Sequence, residues 1–379
     1  METHVKEKVG RVNLCLLNHD MKATTGAGRF GRLFVERMRE YDPSLVITVL
    51  TSVASGYPGE RPIVSESGWR MLFALPRIRR AFRGADVIHA LDGYPYGVVA
   101  VLASLGLGKP IVITAIGTGG VQSLYRWYAP LVVWAYRRAA VLSAVSRNTR
   151  DEILRRAPDL DIEVIRHGID AEEFAHPDQE LSPDEHRLIA SLRPYIFSVG
   201  AWKPRKGFAY SFAAFADLKR QIPAMHYVIC GIGPKPQLTE SLGITESVVT
   251  LKGIRWPLLR ALYANAELFM LLPVDDRKDI EGFGLAFLEA AAAGVPVVAS
   301  RGSGADDAIA EGENALVVPP RDPHAAAAAM RRIIGDPGLR AQLAAGSRRF
   351  AARMGWEPVI ARYRTLYDTM IRAGARGTV

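Results

Sequence analysis

Glu281-Gly282-Phe283-Gly284-Leu285-Ala286-Phe287-Leu288-Glu289-Ala290-Ala291-Ala292-Ala293-Gly294-Val295-Pro296 decides how this chain is read. It follows a short apolar run at residues 268–272 and a polar loop, and it leads into a second apolar run at 296–299. Runs of that length read as buried strands, and the alanine-rich stretch from about Gly284 reads as a helix. Strand, loop, helix and strand in that order make one parallel α/β unit. Two glycines at the loop–helix junction let a ligand approach the backbone, and the free N–H groups of a helix start suit a phosphate. Glu281 lies just before the helix and Glu289 one to two turns inside it. Eight residues at 1.5 Å rise cover about 12 Å if wholly helical, close to the span between two sugars across a bridging diphosphate. Glu281 would also serve as a plain helix-start charge, favoured by the helix dipole. Glu289, set between Leu288 and a small apolar run, is poorly placed for a merely solvated role.

The same alternation extends in both directions. Residues 11–17, 45–50, 87–90, 111–115, 141–145 and 164–166 read as strands, with helical stretches between several of them and a helix over about 29–41. After an acidic, proline-containing stretch at 176–185, a second series reads at 195–199, 226–229, 248–251, 268–272, 296–299 and 315–318. A chain of 379 residues exceeds the roughly 250–300 at which one hydrophobic core stops growing. Two doubly wound α/β domains joined near residues 180–192 are therefore expected. In such sheets ligands bind beyond the carboxyl ends of the strands.

Composition excludes several classes. At 49% apolar and 23% charged residues the chain is an ordinary globular one, neither disordered nor collagen-like. It has no run of about 18 apolar residues that could span a membrane as a helix. The first eight residues carry charges of both signs and lack the apolar core of a signal peptide. Cys15 and Cys230 sit far apart inside apolar runs and read as buried strand residues rather than a bridge or metal site. A cytoplasmic location is the expectation. The net charge of +9 is unevenly spread: residues 61–150 carry 12 Lys/Arg against 3 Asp/Glu, whereas residues 151–180 carry 3 against 10. A basic half of this kind suits an anionic surface. Nucleic acid is disfavoured, since no nucleic-acid module accompanies the charge.

The pattern Glu281-Gly282-Phe283-Gly284-Leu285, a second glutamate eight residues after the first, and Gly294-Val295-Pro296-Val297-Val298 resembles the retaining glycosyltransferases of family 4. Val145-Ser146, His167-Gly168-Ile169-Asp170 with Phe174, Gly200 with Lys206-Gly207, residues 314–320 and Trp356 add to the resemblance, which covers about residues 11–370. It implies the GT-B fold, two Rossmann-like domains facing across a cleft. Residues 1–185 would form the acceptor-binding domain and residues 186–360 the nucleotide-sugar-binding domain. Residues 361–379 would be a C-terminal helix returning to the first.

The resemblance also implies roles. Glu289 would accept hydrogen bonds from ribose hydroxyls and Glu281 would orient hydroxyls of the donor sugar, tasks that suit a group with several acceptor sites and no donor. Lys206 would neutralise the leaving diphosphate, together with the backbone near Phe283, Gly284 and Leu285, because fixed positive groups favour a transition state that builds negative charge. Gly26 and Gly28, after the first strand, would face the donor phosphates. Two positions depart from the family pattern. Ala201 follows Gly200 where relatives carry an arginine, so that Lys203 or Arg205 would have to reach the phosphates, and Ile116 stands before Gly117 where relatives often carry a histidine. His89, Asp92 and Gly117 are the acceptor-side candidates. Neither a metal ion nor another cofactor is expected; the UDP- or GDP-linked sugar is a substrate.

Residues 67–83 mix Trp69, Leu72 and Phe73 with Arg70, Arg77, Arg79, Arg80 and Arg83, and residues 124–138 repeat that flavour. Apolar anchors among arginines are what an interfacial helix needs on anionic lipid. The expectation is a peripheral enzyme moving a sugar to a lipid-linked or glycan acceptor in envelope polysaccharide or glycolipid synthesis. A soluble transferase acting on a small molecule, and a non-catalytic GT-B protein that only binds nucleotide-sugar or glycan, remain the alternatives.

Overall fold

A computed structural model describes residues 11–231, 236–276 and 278–376. The described residues form two all-parallel sheets. The first contains β1 (Asn13–Asn18), β2 (Val46–Thr51), β3 (Glu60–Arg61), β4 (Val87–Leu91), β5 (Ile111–Ala115), β6 (Val141–Ala144) and β7 (Glu163–Val164), in the order β3-β2-β1-β4-β5-β6-β7. The second contains β8 (Tyr195–Val199), β9 (His226–Cys230), β10 (Val248–Leu251), β11 (Leu268–Leu271), β12 (Val297–Ser300) and β13 (Ala315–Val318), in the order β10-β9-β8-β11-β12-β13. The expected strands are present to within two residues at either end; the two-residue edge strand β3 was too short to carry a periodic signal. In both sheets the winding reverses beside the first strand, between β1 and β4 and between β8 and β11. Those reversals open crevices at the strands' carboxyl ends, where ligands of doubly wound sheets bind.

The chain divides into two compact units: residues 11–144 with Glu152–Ile165 and residues 357–376, and Val145–Asp151 with Arg166–Trp356. The division thus falls about twenty residues before the expected 185, and the acidic stretch at 176–185 is no linker. Arg260 donates to the Glu173 carbonyl and to Glu180 (2.5 Å), and Arg255 to Glu185 (2.6 Å), all within the second unit. Ser182 and Glu185 form a reciprocal cap at the start of the helix Pro183–Leu192, each bonding the other's backbone N–H. The local acidic excess is met by arginines far away in sequence, which no composition window reveals.

The C-terminal helix Trp356–Arg376 packs its Tyr363 and Tyr367, one turn apart, on the first sheet. His89 on β4, Thr114 on β5 and Ser143 on β6 share a sheet face beneath them. Tyr367 Oη stands 2.6 Å from His89 Nδ1, Thr114 Oγ1 stands 2.7 Å from His89 Nε2, and Tyr363 Oη stands 3.0 Å from Thr114 Oγ1. Phe34 closes the cluster edge-on against both His89 and Tyr363. Burial holds the imidazole down at about 3, so it is neutral, with one ring nitrogen donating and the other accepting. His89 is therefore not an acceptor-side residue, contrary to expectation: it points into the sheet's covered face, not off the strand end. Cys15 and Cys230 are free and buried, and burial pushes both thiols up to about 12.

Removing one partner from a buried hydrogen bond leaves the other unsatisfied, which costs about 1–3 kcal/mol. Tyr367→Phe, which keeps the ring and deletes the hydroxyl facing His89, is accordingly predicted to lower unfolding free energy by about that amount. Urea denaturation with an unchanged slope is the measurement that checks it.

Candidate functional site

In the second unit the two loops at the reversal, after β8 and after β11, are forced together by their backbones. Gly207 has φ +65°, and a Cβ there would overlap the Leu272 carbonyl oxygen, so only glycine permits so close an approach. Val274 N donates to Arg205 O at 2.9 Å and ties the loops again. Lys206 is thereby set against Glu281. Its Nζ donates to Oε1 at 2.9 Å and stands 2.9 Å from Oε2; Glu281 is buried and Lys206 largely so. Oε2 is buried with no aligned hydrogen-bond donor. Arg205 donates to Asp279 at 2.9 Å and its Nε lies 3.7 Å from Glu281 Oε2. The arrangement sets two cations, Lys206 and Arg205, against two carboxylates, Glu281 and Asp279, at the winding reversal, with acceptor capacity left on Glu281 Oε2.

Gly284, with φ +84°, caps the helix Leu285–Ala292, whose first N–H groups lack intrahelical partners. Only part of the stretch between Glu281 and Glu289 is helical, so the wholly helical spacing expected between them does not apply. Glu289 is buried, and its Oε2 accepts from Tyr263 Oη at 2.8 Å. Tyr263 lies on the helix Trp256–Ala264 and packs edge-on against Phe197. Sequence reasoning missed it, since nothing in its neighbourhood marks a tyrosine that will meet a glutamate 26 residues on. Phe283 is buried edge-on against His167, whose imidazole burial holds down at about 3. It is a wall of the loop and presents no polar group. Ala201 precedes Trp202, which stacks on Phe208 and Phe212, while Lys203 is exposed.

In the first unit Gly26 is exposed at the start of the helix Gly26–Tyr41, three residues earlier than expected. Gly28 is buried and its N–H is bonded to Thr25 Oγ1 at 3.1 Å, so that N–H is taken by the cap and not available to a phosphate. Asp92 and Gly117 are brought together beyond the ends of β4 and β5. Asp92 has φ +99°, accepts Gly93 N–H at 2.9 Å and also accepts the Ile116 N–H. Gly119 and Gly120 crowd its carboxyl. Burial raises Asp92 to about 7 against those two hydrogen bonds. Tyr94, two residues after Asp92, stacks on Tyr128 (4.3 Å between centroids). Asp92 is thus a carboxyl in strained backbone beyond a strand end, with its pKa raised by burial.

Two parallel α/β units with a Lys206–Glu281 pair at a winding reversal fit one class, the GT-B glycosyltransferases. The chain matches Glycosyl transferases group 1 over residues 184–350 and Glycosyltransferase Family 4 over residues 29–173. It is 31% identical over 311 residues to a GDP-mannose-dependent alpha-(1-6)-phosphatidylinositol monomannoside mannosyltransferase of Mycolicibacterium smegmatis, covering 76% of this chain and 80% of the relative. It is 32% identical over 231 residues to a D-inositol 3-phosphate glycosyltransferase of Salinispora arenicola, covering 56% of this chain and 50% of the relative. The structure of Anabaena HepE in complex with UDP-glucose is similar with a TM-score of 0.77 at 17% identity, over 94% of this chain and 99% of that one, a likeness of fold. The chain belongs to the family 4, group 1 glycosyltransferases.

The Asp92 pKa makes a prediction with a definite sign. Between about pH 4 and 7 the folded carboxyl holds a proton that the unfolded chain has lost. Its contribution to stability is therefore greatest below about pH 4 and is lost as pH rises through about 7. Asp92→Asn removes the titration, so its melting temperature relative to the unsubstituted protein should rise between about pH 5 and pH 8. Parallel melting curves that keep the same separation at both pH values would contradict the assignment.

Proposed function

We propose that the protein transfers a hexosyl group, with retention, from a nucleotide-diphosphate sugar to a lipid-linked acceptor in cell-envelope glycolipid or polysaccharide synthesis. The observation that carries this reading is the buried Lys206–Glu281 pair at the β8/β11 crevice, with Glu281 Oε2 left without an aligned donor. Lys206 and the start of the helix Leu285–Ala292 meet the diphosphate, and Arg205, in place of the arginine the family carries after Gly200, adds charge. Glu281 accepts from hydroxyls of the donor sugar and Glu289 from the ribose. The bond from the sugar's anomeric carbon to the diphosphate oxygen breaks and the bond to the acceptor oxygen forms on the same face. The acceptor's proton passes to the departing phosphate oxygen. Asp92, with Gly117 beside it, serves the acceptor. The reading needs neither metal ion nor cofactor.

The relatives' names support a lipid or polyol-phosphate acceptor and a GDP- or UDP-linked donor. Exposed apolar groups support a membrane surface. On the helix Gly68–Arg83, Trp69 and Phe73 are each 80% exposed beside the exposed Arg70, Arg77, Arg80 and Arg83, and Trp127 is 91% exposed. Arg79 is different, since it donates to the carbonyls of Ala103 and Leu105 and holds the fold. No helix among the described residues is long and apolar enough to cross a membrane. A binding-only reading is favoured by Ala201 and Ile116, where family side chains are missing.

Glu281→Gln keeps the shape and removes the charge opposite Lys206. Loss of one preorganised polar group at a transition state costs about 10²- to 10³-fold, so kcat should fall by about that much with donor KM changed little. Turnover is to be followed on the donor that most raises melting temperature in a panel of UDP- and GDP-sugars. Donor binding without turnover in the unsubstituted protein would establish the binding-only reading instead.

For the surface, the double change Trp69→Ala/Phe73→Ala and the double change Arg77→Ala/Arg80→Ala are each expected to weaken co-sedimentation with phosphatidylglycerol-containing vesicles. Neutral vesicles should bind little. Equal binding to both vesicle types, or by all variants, would count against a membrane role for this helix.

A further inference from the structure

The residue that the proposed reaction depends on most, Glu281, is held in place by its backbone. Its N–H donates to Asp275 Oδ1 at 2.9 Å, and its carbonyl accepts from Gly304 N–H at 3.0 Å. The next carbonyl, that of Gly282, accepts from Ser146 Oγ at 2.6 Å and from Thr149 Oγ1 at 3.2 Å. Each of these anchors leads back to four consecutive residues, Ser146, Arg147, Asn148 and Thr149. Ser146 and Thr149 reach Gly282 directly. Asn148 Nδ2 donates to Asp275 Oδ2 at 2.6 Å, so the carboxylate that grips the Glu281 N–H is itself gripped. Arg147 binds Asp307 through its N–H at 2.6 Å and its Nε at 2.9 Å, and Asp307 closes the short turn that Gly304 opens.

The four residues stand in sequence between β6 and β7 of the first sheet, yet they belong to the second unit. They open the helix Arg147–Leu154, and Ser146 caps it by accepting the Thr149 N–H at 3.0 Å. A serine hydroxyl has one proton, and the shorter contact assigns it to Gly282 O. One buried side chain therefore starts a helix and fixes the glutamate loop at once. Ser146 and Thr149 are wholly buried, and buried hydroxyls are costly unless bonded, so alternative placements of Gly282 are disfavoured.

We propose that Ser146, Asn148 and Thr149, acting through Gly282 and Asp275, are positioning residues that hold the Glu281 carboxylate in register with the reacting sugar. The proposal rests on the catalytic reading of Glu281 given above. A displacement of about 1 Å at a reacting centre can cost about 100-fold in rate, so the positioning grip should register in kcat.

The Asn148–Asp275 contact allows a test by exchange of partners. Asn148→Asp alone opposes two carboxylates, and Asp275→Asn alone removes the charge that strengthens both hydrogen bonds to the Asp275 carboxylate. The double change restores a donor facing an acceptor with its sense reversed, and it preserves an acceptor for the Glu281 N–H and the net charge. Each single change is expected to speed hydrogen–deuterium exchange at Glu281 and Gly282 in the ligand-free full-length chain, and the double change to restore it. With GDP-mannose and UDP-glucose as donor probes, each single change should lower kcat by about 10- to 100-fold with donor KM nearly constant, and the double change should recover most of it. A merely structural role would move kcat and KM together with stability. Unchanged exchange in both single variants overturns the proposal, as does unchanged kcat alongside an inactive Glu281→Gln. If Glu281→Gln is itself fully active, the catalytic reading fails, and exchange alone then decides whether this segment holds the loop.

Discussion

Lys206 and Glu281 face each other at 2.9 Å with little water around either, and the second unit is built so that they must. Burying two charges is expensive, and such a pair is tolerated only when its geometry is well determined and its remaining acceptors are used. Here the determination comes from the backbone. Gly207 allows the β8 loop to touch the end of β11, and the Val274–Arg205 bond ties the two loops a second time. The remaining acceptor capacity is on Glu281 Oε2, which is buried without an aligned donor. An ion pair kept dry and incompletely satisfied has less to gain as packing than as chemistry.

The first unit manages its buried polar groups in the opposite way. His89, Thr114, Ser143, Tyr363 and Tyr367 satisfy one another inside the sheet–helix interface, and the imidazole stays neutral because nothing charged compensates it. That network fastens the end of the chain to strands that precede it by more than two hundred residues. Asp92, three residues after His89, escapes it. It sits past the end of β4, and with a positive φ its carboxyl lies against Gly119 and Gly120. Two titratable side chains from one short stretch thus end in unlike environments, one inside the sealed network and one beyond the strand end.

Family membership was legible because it lives in local patterns. Alternating apolar runs and helices specify parallel α/β units, and Glu281, Gly284 and Glu289 stand at the spacing a loop–helix junction demands. Lys206 was legible too, through the glycine that follows it. The partners were not legible. Tyr263 on Glu289, Asp307 between Arg147 and Arg166, and Asp275 between Asn148 and Glu281 all join residues whose separation in the chain carries no signal.

By itself the sequence determined the class of fold, the order of strands and helices, and the chemical types placed after β8 and β11, since each depends on periodicity and local residue preference. Tertiary structure alone decided that His89 is sealed away, that the acidic stretch is bound into the second unit, and that Ser146–Thr149 serve a glutamate more than 130 residues distant. The physical reason is the same in each case. Burial and hydrogen-bond partnership are properties of which segments meet, and parallel sheets bring together segments far apart in the chain.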